Sequence, residues 1–471
     1  MTTYPTDFLN TKGQDSVLSY DKEGESYMTQ IPQSAQYVVV GAGVHGLSAA
    51  WHLAMELEKR GRGSGADIIV LDKTGPGAGA SGIACGCVRN FYMTKPLHAL
   101  LRHSVDVWMH DPVAFGFQQV GYVSVGEENQ IADYEAIHKS QNSVGYFSDL
   151  YVGKEARAFL KSIWPDFKTA GTAVAIHEKV SGYAGTRQVI IGLAQKCADH
   201  GVRICSGIEV TGYNRQAGSI TGVITNQGEI KCDLVIWGLG AWTPTHWQML
   251  DKPMALDVHY PGGAVVKDKD MWTYWRLLEG EVYYDKPYVT PDGHNPPVLH
   301  VELMNTPVID EQTGRELQDH LYVYYKNGNE RMDKPGLQGG TIPIKLGPKA
   351  NTDPYGHAND AYQADDWFAN YLCSAMAQTM DRFQGIRPNF RERRNGGIGA
   401  FTPDNIPVFD WVAPNVYMIA DSNHGFKMLG AGKLVAQHLM GDDPADLKPF
   451  SFDRFAEGWT YGASNSHSPW V

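Results

Sequence analysis

Three glycines near the N-terminus are spaced as a phosphate-binding turn requires. Gly41, Gly43 and Gly46 form a GxGxxG motif that follows the apolar run Tyr37–Val40 and opens a stretch with helical spacing. In such a turn the first glycine bends the chain, the second lets the backbone approach a pyrophosphate, and the third lets the helix pack close to the strand. The free N–H groups of the helix N-terminus then attract the anion. The spacing therefore predicts a βαβ unit that binds a dinucleotide.

An acidic residue follows the second predicted strand, Ile68–Leu71. A carboxylate at this point, Asp72, can accept hydrogen bonds from both ribose hydroxyls of an adenosine. An acid here, rather than a cluster of arginines, argues against a cofactor with a 2′-phosphate. The glycine-rich insertion Arg60–Ala66 explains why Asp72 follows Gly46 at a longer distance than usual. A surface aspartate at a strand end is the alternative, and these residues alone allow either NAD or FAD.

The composition narrows the class of protein. The chain has 471 residues, of which 43% are hydrophobic and 20% charged, and these are ordinary values for a globular enzyme of two or more domains. Its formal net charge is −12, which argues against nucleic acid as a partner, because neutralising phosphates takes a surplus of Lys and Arg. No apolar run is long enough to span a bilayer, so we expect no membrane segment.

The N-terminal segment and the cysteines favour a cytoplasmic location. The first residues are polar and have neither the basic nor the apolar region of a secretory signal. Six cysteines are too few and too scattered for a disulfide framework, so we expect them to be reduced. Cys85 and Cys87 form a lone CxC motif, which is a poor metal site because structural zinc takes four ligands. We therefore expect no metal.

The order of the predicted elements indicates two separate sheets. The block from about 254 to 347 is strand-like and aromatic but lacks a βαβ rhythm, so we assign it to a sheet of its own. Strand–glycine signals recur near Gly238 and His424, which indicates a nucleotide domain assembled from discontinuous segments. Helical periodicity is found over Leu47–Glu58, Pro96–His110, Thr186–His200, Ala364–Phe383 and Gly430–Met440.

Four groups of residues, which cover both ends of the chain, carry a resemblance to a known family. The groups are Val40–Leu47; Gly79–Gly82 with Val88–Tyr92; Thr221–Val223 with Asp233–Val235 and Gly240–Trp242; and Thr402–Asp404 with Ile406–Pro407 and His424–Lys427. Together they resemble the D-amino-acid oxidase-like flavoprotein family, most closely its sarcosine oxidase branch, which includes the beta subunit of the heterotetrameric enzymes. Residues from about 245 to 335 do not align. Because this family binds FAD, the resemblance implies FAD rather than NAD.

The resemblance implies an α/β (α+β) fold. An FAD-binding Rossmann-like domain is assembled from discontinuous segments, and a mainly antiparallel β-sheet forms the substrate domain, in agreement with the element order. The predicted boundaries are 35–120, 170–250 and 385–445 for the FAD domain, 121–169 and 251–384 for the substrate domain, 1–34 for a polar N-terminal arm and 446–471 for a C-terminal tail.

The resemblance also implies amine oxidation. A hydride leaves the carbon next to a neutral amine nitrogen for flavin N5, and the imine then hydrolyses. With a secondary or N-methylated amino acid this yields an amine and an aldehyde, which is N-demethylation. A D-amino acid or glycine oxidase that releases ammonia is one alternative, and a flavin-binding electron-transfer subunit of a larger complex is another. Whether oxygen or another molecule accepts the electrons stays open. Whether the chain forms a homo-oligomer stays open as well.

Site residues are implied by the same resemblance. Arg89 and Lys427 would hold the substrate carboxylate, Arg89 as a planar two-pronged donor and Lys427 as a point charge. The alternative is that each of them forms a routine ion pair with an acidic side chain. Tyr92 would border the substrate, and Lys345 would lie near flavin N5, where a cation stabilises superoxide. The predicted FAD contacts are Gly41, Ala42, Gly43, Val44, His45, Gly46, Asp72, Lys73, Ala80, Ser81, Val210, Gly240, Trp242, His424, Gly425, Phe426 and Lys427.

Departures from the family pattern refine these expectations. Glycines precede Thr402 where sarcosine oxidases carry the cysteine that tethers FAD, and Ala84 stands near the position of a histidine tether in a related branch. We therefore predict non-covalent FAD, although contact of Cys85 or Cys87 with the flavin stays open. Gln188 cannot carry the FMN link of the beta subunit, which argues against a heterotetramer that contains FMN.

Overall fold

The computed structural model describes residues 19–20, 26–27, 31–328, 335–341, 343–356, 359, 362–391 and 396–462, and every structural statement refers to these. Most of the predicted N-terminal arm and the end of the predicted C-terminal tail therefore lie outside the described residues. Two large sheets organise the rest of the chain. In the described part, no helix combines the length and the apolar character needed to cross a membrane.

The first sheet, here called the nucleotide sheet, contains the predicted βαβ unit. Its central strand Ser34–Val40 pairs in parallel with Ile68–Asp72 on one side and with Gly228–Trp237 on the other. The first residues of Gly228–Trp237 pair antiparallel with a hairpin strand, whereas its last three residues pair in parallel with Val416–Ala420. The eight strands are Arg203–Ser206, Ile68–Asp72, Ser34–Val40, Gly228–Trp237, Ser219–Thr225, Val210–Gln216, Val416–Ala420 and Val408–Ala413.

The helix after the glycine motif runs over Val44–Arg60 and contacts the helices Thr186–Asp199 and Ala431–Leu439. Its apolar residues, among them Leu47, Leu53 and Leu57, are fully buried, so burial on several sides stabilises it. Gly61 ends it in the left-handed conformation. The other helices of the described residues are Lys95–His110, Ile131–Ser143, Lys154–Ile163, Thr243–Met249, Asp366–Thr379 and Arg454–Glu457.

The second sheet has nine strands and is mostly antiparallel. One neighbouring pair, Tyr122–Gly126 and Val298–Leu303, is parallel. The other strands are Ser148–Val152, Val174–Glu178, Thr273–Tyr283, Leu321–Asn327, Gly336–Gly340, Ile344–Gly347 and Gly396–Phe401. Smaller sheets pair Cys87–Val88 and Phe117–Gln118 with Gly182–Ala184, Ala255–His259 with Val265–Asp270, Val308–Ile309 with Glu316–Gln318, and Ser19–Tyr20 with Ser26–Tyr27.

The predicted fold class is confirmed, but two strands lie in a different sheet from the one expected. Val174–Glu178 and Gly396–Phe401 belong to the second sheet, although the predicted FAD domain includes residues 170–250 and 385–445. Gly396–Phe401 pairs with Thr273–Leu278, more than a hundred residues earlier. Local strand propensity indicates that a segment is extended, yet it does not indicate which distant strand becomes its partner. The domain boundaries themselves stay a prediction.

Candidate active site

The glycine motif forms the close contacts that its spacing predicts. Gly41 has φ +104°, and a Cβ atom there would lie 2.3 Å from the carbonyl oxygen of Gly238. A Cβ atom on Gly46 would lie 1.9 Å from the carbonyl oxygen of Gly41. Only glycine fits at both positions. Gly238, which follows the neighbouring strand Gly228–Trp237, completes this contact and was not among the predicted site residues.

Asp72 holds the turn by accepting three backbone hydrogen bonds. The N–H of Ala42 donates to its Oδ2 at 2.8 Å, and the N–H groups of Thr74 and Gly75 donate to its Oδ1 at 2.9 and 2.8 Å. A carboxylate offers about four acceptor positions, so about one remains. Asp72 could therefore accept one ribose hydroxyl rather than the two that were expected.

A loop closes over the N-terminus of the first helix. The backbone N–H of Val44 donates to Ser81 Oγ at 3.0 Å, and the same oxygen would lie 3.2 Å from a Cβ atom on Gly43. Ser81 belongs to the short 3-10 turn Ala80–Gly82. The helix has no acidic residue in its first turn. An anion at this end of the helix would therefore meet backbone donors and small side chains.

Two adjoining clefts open between these elements and the second sheet. The glycine-side cleft encloses about 740 Å³ of space, open solvent included, and its lining includes Val44, Ala80, Ser81 and Gly240. The arginine-side cleft encloses about 700 Å³ and contains Arg89 and Lys427 in its wall. The two clefts share Ala84, Leu277, Glu279, Asn423, Gly425 and Phe426.

Arg89 and Lys427 are two cations in one cleft wall without a carboxylate partner among the described residues. The guanidinium of Arg89 lies 4.4 Å from the ring centre of Tyr92 and 5.7 Å from that of Tyr122, and its Nη1 donates to the carbonyl oxygen of Phe91. Within the described ranges, neither cation lies within 4.0 Å of a carboxylate oxygen. Burial lowers the pKa of Lys427, and the charge of Arg89 lowers it further. The wall therefore favours an anionic ligand.

Glu178 positions the segment that carries Arg89, and no local sequence signal indicated it. Its Oε2 accepts hydrogen bonds from the backbone N–H of Asn90 at 2.9 Å and from Ser181 Oγ at 2.6 Å. Its Oε1 accepts from Gln141 Nε2 at 2.6 Å. Glu178 is fully buried, and burial raises the pKa of its carboxyl group. These bonds fix the backbone next to Arg89 to other segments of the chain.

Glu279 is a second residue that the sequence did not indicate. It lies on the strand Thr273–Tyr283, borders both clefts, and its Oε1 accepts a hydrogen bond from Tyr324 Oη at 2.9 Å. Burial raises the pKa of this carboxyl well above its usual value, and the thiol of Cys85 raises it further. The raised pKa favours the protonated form of this carboxyl, which could donate a hydrogen bond to a ligand that the two cations of the same wall bind.

Asp421 joins the two ends of the chain at the glycine-side cleft. Its Oδ2 lies 2.7 Å from His45 Nε2, and its carboxylate accepts hydrogen bonds from the backbone N–H groups of His424 and Gly425. His424 is fully buried, and burial lowers its pKa to about 4, so its imidazole is neutral at neutral pH. Asp421 was missed because its role depends on His45 from the opposite end of the chain.

Besides Asp72, His45 and the turn residues Gly41, Ala42, Gly43 and Gly46, six of the predicted site residues line neither cleft. Tyr92 is buried behind Arg89 with its ring centre 5.0 Å from that of His424, and Tyr122, Tyr322 and Tyr324 line the arginine-side cleft instead. Val210 is only 4% exposed and packs in the core of the nucleotide sheet. The six residues are Lys73, Tyr92, Val210, Trp242, His424 and Lys345.

Lys73 and Trp242 form a contact of their own outside the clefts. The ammonium of Lys73 lies 4.2 Å from the ring centre of Trp242 and pairs with the carboxylate of Asp353. Trp242 Nε1 also donates to Asp353 at 3.0 Å. The two predicted cofactor residues thus come together, but around a carboxylate that the sequence did not indicate.

Lys345 differs most from its expected position. It is exposed on the edge strand Ile344–Gly347, with its ammonium 5.9 Å from the ring centre of Trp275. A shift of one residue along a strand moves a side chain to the opposite face, and the short local match did not fix this register. Nothing in this position supports a role near flavin N5.

The model of the family described as FAD dependent oxidoreductase matches residues 36–438. The chain belongs to this family. FAD is therefore its cofactor, and the predicted resemblance is confirmed. The non-covalent attachment of FAD stays a prediction.

Two curated relatives belong to the suspected branch. The chain is 27% identical over 223 residues to a 4-methylaminobutanoate oxidase (formaldehyde-forming) of Paenarthrobacter nicotinovorans, a match that covers 45% of this chain and 25% of the relative. It is 25% identical over 205 residues to the sarcosine oxidase subunit beta of Rhodobacter capsulatus, covering 41% of this chain and 47% of the relative. The matches thus span about a quarter and about half of these relatives.

A solved structure supports the fold over nearly the whole chain. The L-proline dehydrogenase from P. horikoshii superposes with a TM-score of 0.70 and 19% sequence identity, covering 92% of this chain and 100% of that one. At this identity the match shows a shared fold.

The residues present fit FAD. The glycine-side cleft borders the N-terminus of the first helix through Val44 and Ser81, where a pyrophosphate would meet backbone N–H groups and no acidic side chain of the first turn. Small residues, Ala80, Ser81 and Gly240, line it and leave room for the backbone to approach a bound group. The wall shared with the arginine-side cleft, which includes Leu277 and Phe426, could accept the flavin end, while Asp72 could accept a ribose hydroxyl.

Proposed function

We propose that the chain oxidises a secondary or N-methylated amino acid at the carbon next to nitrogen, with FAD as hydride acceptor. The observation that carries this proposal is the arginine-side cleft. In its wall two cations without carboxylate partners in the described ranges, Arg89 and Lys427, lie with the protonatable carboxyl of Glu279. This arrangement complements an amino acid, whose carboxylate and amine need opposite partners.

Each of these residues of the arginine-side cleft would have its own role in the reaction. Arg89 would hold the substrate carboxylate with its planar donors, and Lys427 would add a point charge. Glu279 would donate a hydrogen bond to the substrate nitrogen, which must be a neutral amine for oxidation. FAD, when bound, supplies a two-electron acceptor for the hydride. Tyr322 and Tyr324, in the cleft wall, would keep water from the reacting carbon.

The N-methyl preference rests on the relatives. One relative is named for a formaldehyde-forming oxidase of a methylaminobutanoate, and another is a subunit of sarcosine oxidase. Both names describe loss of a one-carbon group or oxidation of an N-methyl amino acid by those proteins. The imine formed from an N-methyl group would hydrolyse to an amine and formaldehyde.

Anaerobic mixing with a panel of amines tests the proposal. The yellow holoenzyme is mixed with sarcosine, dimethylglycine, N-methylproline, betaine and D-amino acids, and loss of flavin absorbance is followed while formaldehyde and ammonia are assayed. We expect bleaching with formaldehyde from one or more N-methyl amino acids. Betaine serves as the control, because its quaternary nitrogen has no lone pair. Bleaching by D-amino acids alone, with ammonia, would assign the chain to a primary-amine oxidase instead.

A further inference from the structure

Two thiols face each other in the wall of the arginine-side cleft, and the proposed amine oxidation uses neither. Cys85 Sγ and Cys87 Sγ lie 3.4 Å apart, and both residues line this cleft. Formation of an S–S bond of ~2.0 Å would require the sulfur atoms to approach by about 1.4 Å. The other four cysteines of the chain are buried elsewhere and line neither cleft.

The backbone between the two thiols is fixed at Gly86. Gly86 has φ +76°, and a Cβ atom there would lie 2.2 Å from the carbonyl oxygen of Ala184. No other residue fits this position without a shift of the backbone. Cys87 pairs with Tyr183 across the small sheet, and the N–H of Ala184 donates to the carbonyl oxygen of Gly86 at 2.9 Å. The CxC turn is therefore held in place rather than left as a free loop.

The surroundings of the two thiols differ. The hydrogen bond with Cys85 and the charges of Lys326 and Lys427 lower the pKa of Cys87. The pKa of Cys85 is raised, first by the same hydrogen bond and then by burial. Lys326 is fully buried and holds its ammonium by hydrogen bonds to Gln338 Oε1 and the carbonyl oxygen of Asn327, each at 3.1 Å. A cysteine with a lowered pKa beside one with a raised pKa is the arrangement of redox-active pairs.

We propose that Cys85 and Cys87 form a dithiol–disulfide couple that exchanges two electrons with the bound FAD. As the Sγ–Sγ bond forms, the pair breaks two S–H bonds and releases two electrons and two protons, which the oxidised cofactor accepts. In the reverse direction the disulfide takes two electrons and two protons from the reduced cofactor and returns to two thiols. No further oxidant or reductant is needed for this exchange. The proposal depends on bound FAD but not on the identity of the amine substrate.

Counting electrons tests the couple without any amine substrate. The holoenzyme is treated with the thiol oxidant diamide, freed of excess reagent, and reduced anaerobically by illumination with EDTA, so that electrons enter through the flavin. Electrons taken up per FAD are measured together with the cysteines that iodoacetamide alkylates, identified by mass spectrometry. We expect about four electrons per FAD, because a dithiol–disulfide couple and a flavin each take two. Cys85 and Cys87 should become alkylated only after reduction.

Substitution of single cysteines shows which thiols take up the additional electrons. Cys87→Ser and Cys85→Ser should each lower the count to about two electrons per FAD, whereas Cys232→Ala, a buried cysteine outside the clefts, should keep the count at about four. A count of about two in the unmodified protein, with both thiols alkylated after diamide treatment, would overturn the proposal. Flavin that stays attached to the acid-denatured chain through Cys85 or Cys87, located by mass spectrometry of the flavin peptide, would also overturn it, because that thiol could not join a disulfide.

Discussion

His45 Nε2 lies 2.7 Å from Asp421 Oδ2, and this contact joins residues that are 376 positions apart in the chain. His45 belongs to the first turn of the helix after the glycine motif, and Asp421 follows the strand Val416–Ala420. Burial alone would raise the pKa of Asp421, but His45 and the backbone N–H of Gly425 hold it below its usual range. Asp421 therefore carries a charge that fixes the C-terminal loop against the nucleotide sheet.

Asp421→Asn should weaken FAD binding by about tenfold or more, because hydrogen bonds to a charged group contribute about 1.5–3 kcal/mol. The amide keeps the size of the side chain but loses the charge that His45 faces. The dissociation constant of FAD, measured from flavin fluorescence, checks this. Asp442→Asn is the control, since this exposed carboxylate pairs with Arg60 at the surface and lines neither cleft. Equal affinities in both variants would contradict the role of Asp421.

Gly46→Ala should yield a protein with little bound FAD and reduced stability. The added Cβ atom would lie 1.9 Å from the carbonyl oxygen of Gly41, so the turn must shift, and overpacking of this kind costs about 1–3 kcal/mol or more. The ratio of flavin to protein absorbance and the melting temperature measure the two effects. Gly462→Ala, where the added atom meets only open space, should match the unchanged protein. Full FAD content in Gly46→Ala would show that the turn tolerates a side chain.

Arg89→Lys should raise KM for the amino-acid substrate by about tenfold to a hundredfold, while the FAD content stays unchanged. The replacement keeps the positive charge but loses the planar two-pronged donor, and such hydrogen bonds contribute about 1.5–3 kcal/mol. Steady-state kinetics and the flavin spectrum of the same preparation provide the two measurements. Arg102→Lys, at an exposed helical ion pair, is the matched control. An unchanged KM would place the substrate carboxylate elsewhere.

Lys345→Met should change the rate at which oxygen reoxidises the reduced flavin by no more than about twofold, as is usual for a surface substitution. This lysine is exposed and lines neither cleft, whereas Lys427 lies in the wall of the arginine-side cleft. Lys427→Met should slow the reoxidation by about tenfold or more, because it removes a cation near the developing negative charge. Stopped-flow mixing of the reduced enzymes with oxygenated buffer compares them. A larger effect of Lys345→Met would restore the role expected from the sequence.

His246→Gln should make the stability of the fold less sensitive to acid. Burial lowers the pKa of His246 to about 4, with a smaller contribution from the charge of Lys73, whereas a histidine in an unfolded chain has a pKa of about 6.5. Between these values the unfolded chain binds a proton that the folded chain does not, so the free energy of unfolding falls as the pH falls below about 6.5. The buried neutral histidine therefore makes the free energy of unfolding about 2 kcal/mol lower at pH 5 than at pH 8.

Urea unfolding at pH 8 and pH 5 checks this expectation. The unchanged protein should lose about 2 kcal/mol more than His246→Gln between the two pH values. Glutamine can still bond the hydroxyl of Tyr213, which lies 2.5 Å from His246 Nδ1, so the variant should remain folded at pH 8. If both proteins lose the same free energy, His246 is not neutral in the folded state.

The clefts depend on tertiary structure that local patterns do not encode. Glu279 borders both clefts because Thr273–Tyr283 runs between Gly336–Gly340 and Gly396–Phe401, and these partners are chosen by non-local pairing. Lys345 was expected at the cofactor from its local context, yet its strand lies at the sheet edge with the side chain exposed. Successive side chains of a strand alternate between faces, so the register decides which residue meets the cofactor.

The sequence by itself determined the nucleotide turn, the family and the cofactor. Gly41, Gly46 and Asp72 were identifiable because a glycine turn between a strand and a helix is a local structure whose steric demands appear directly in residue type and spacing. The resemblance predicted that Arg89 and Lys427 act together, whereas tertiary structure alone decided that Glu279 stands with them and that Asp421 meets His45. These residues come from segments far apart in the chain, and only packing of the whole chain brings them together.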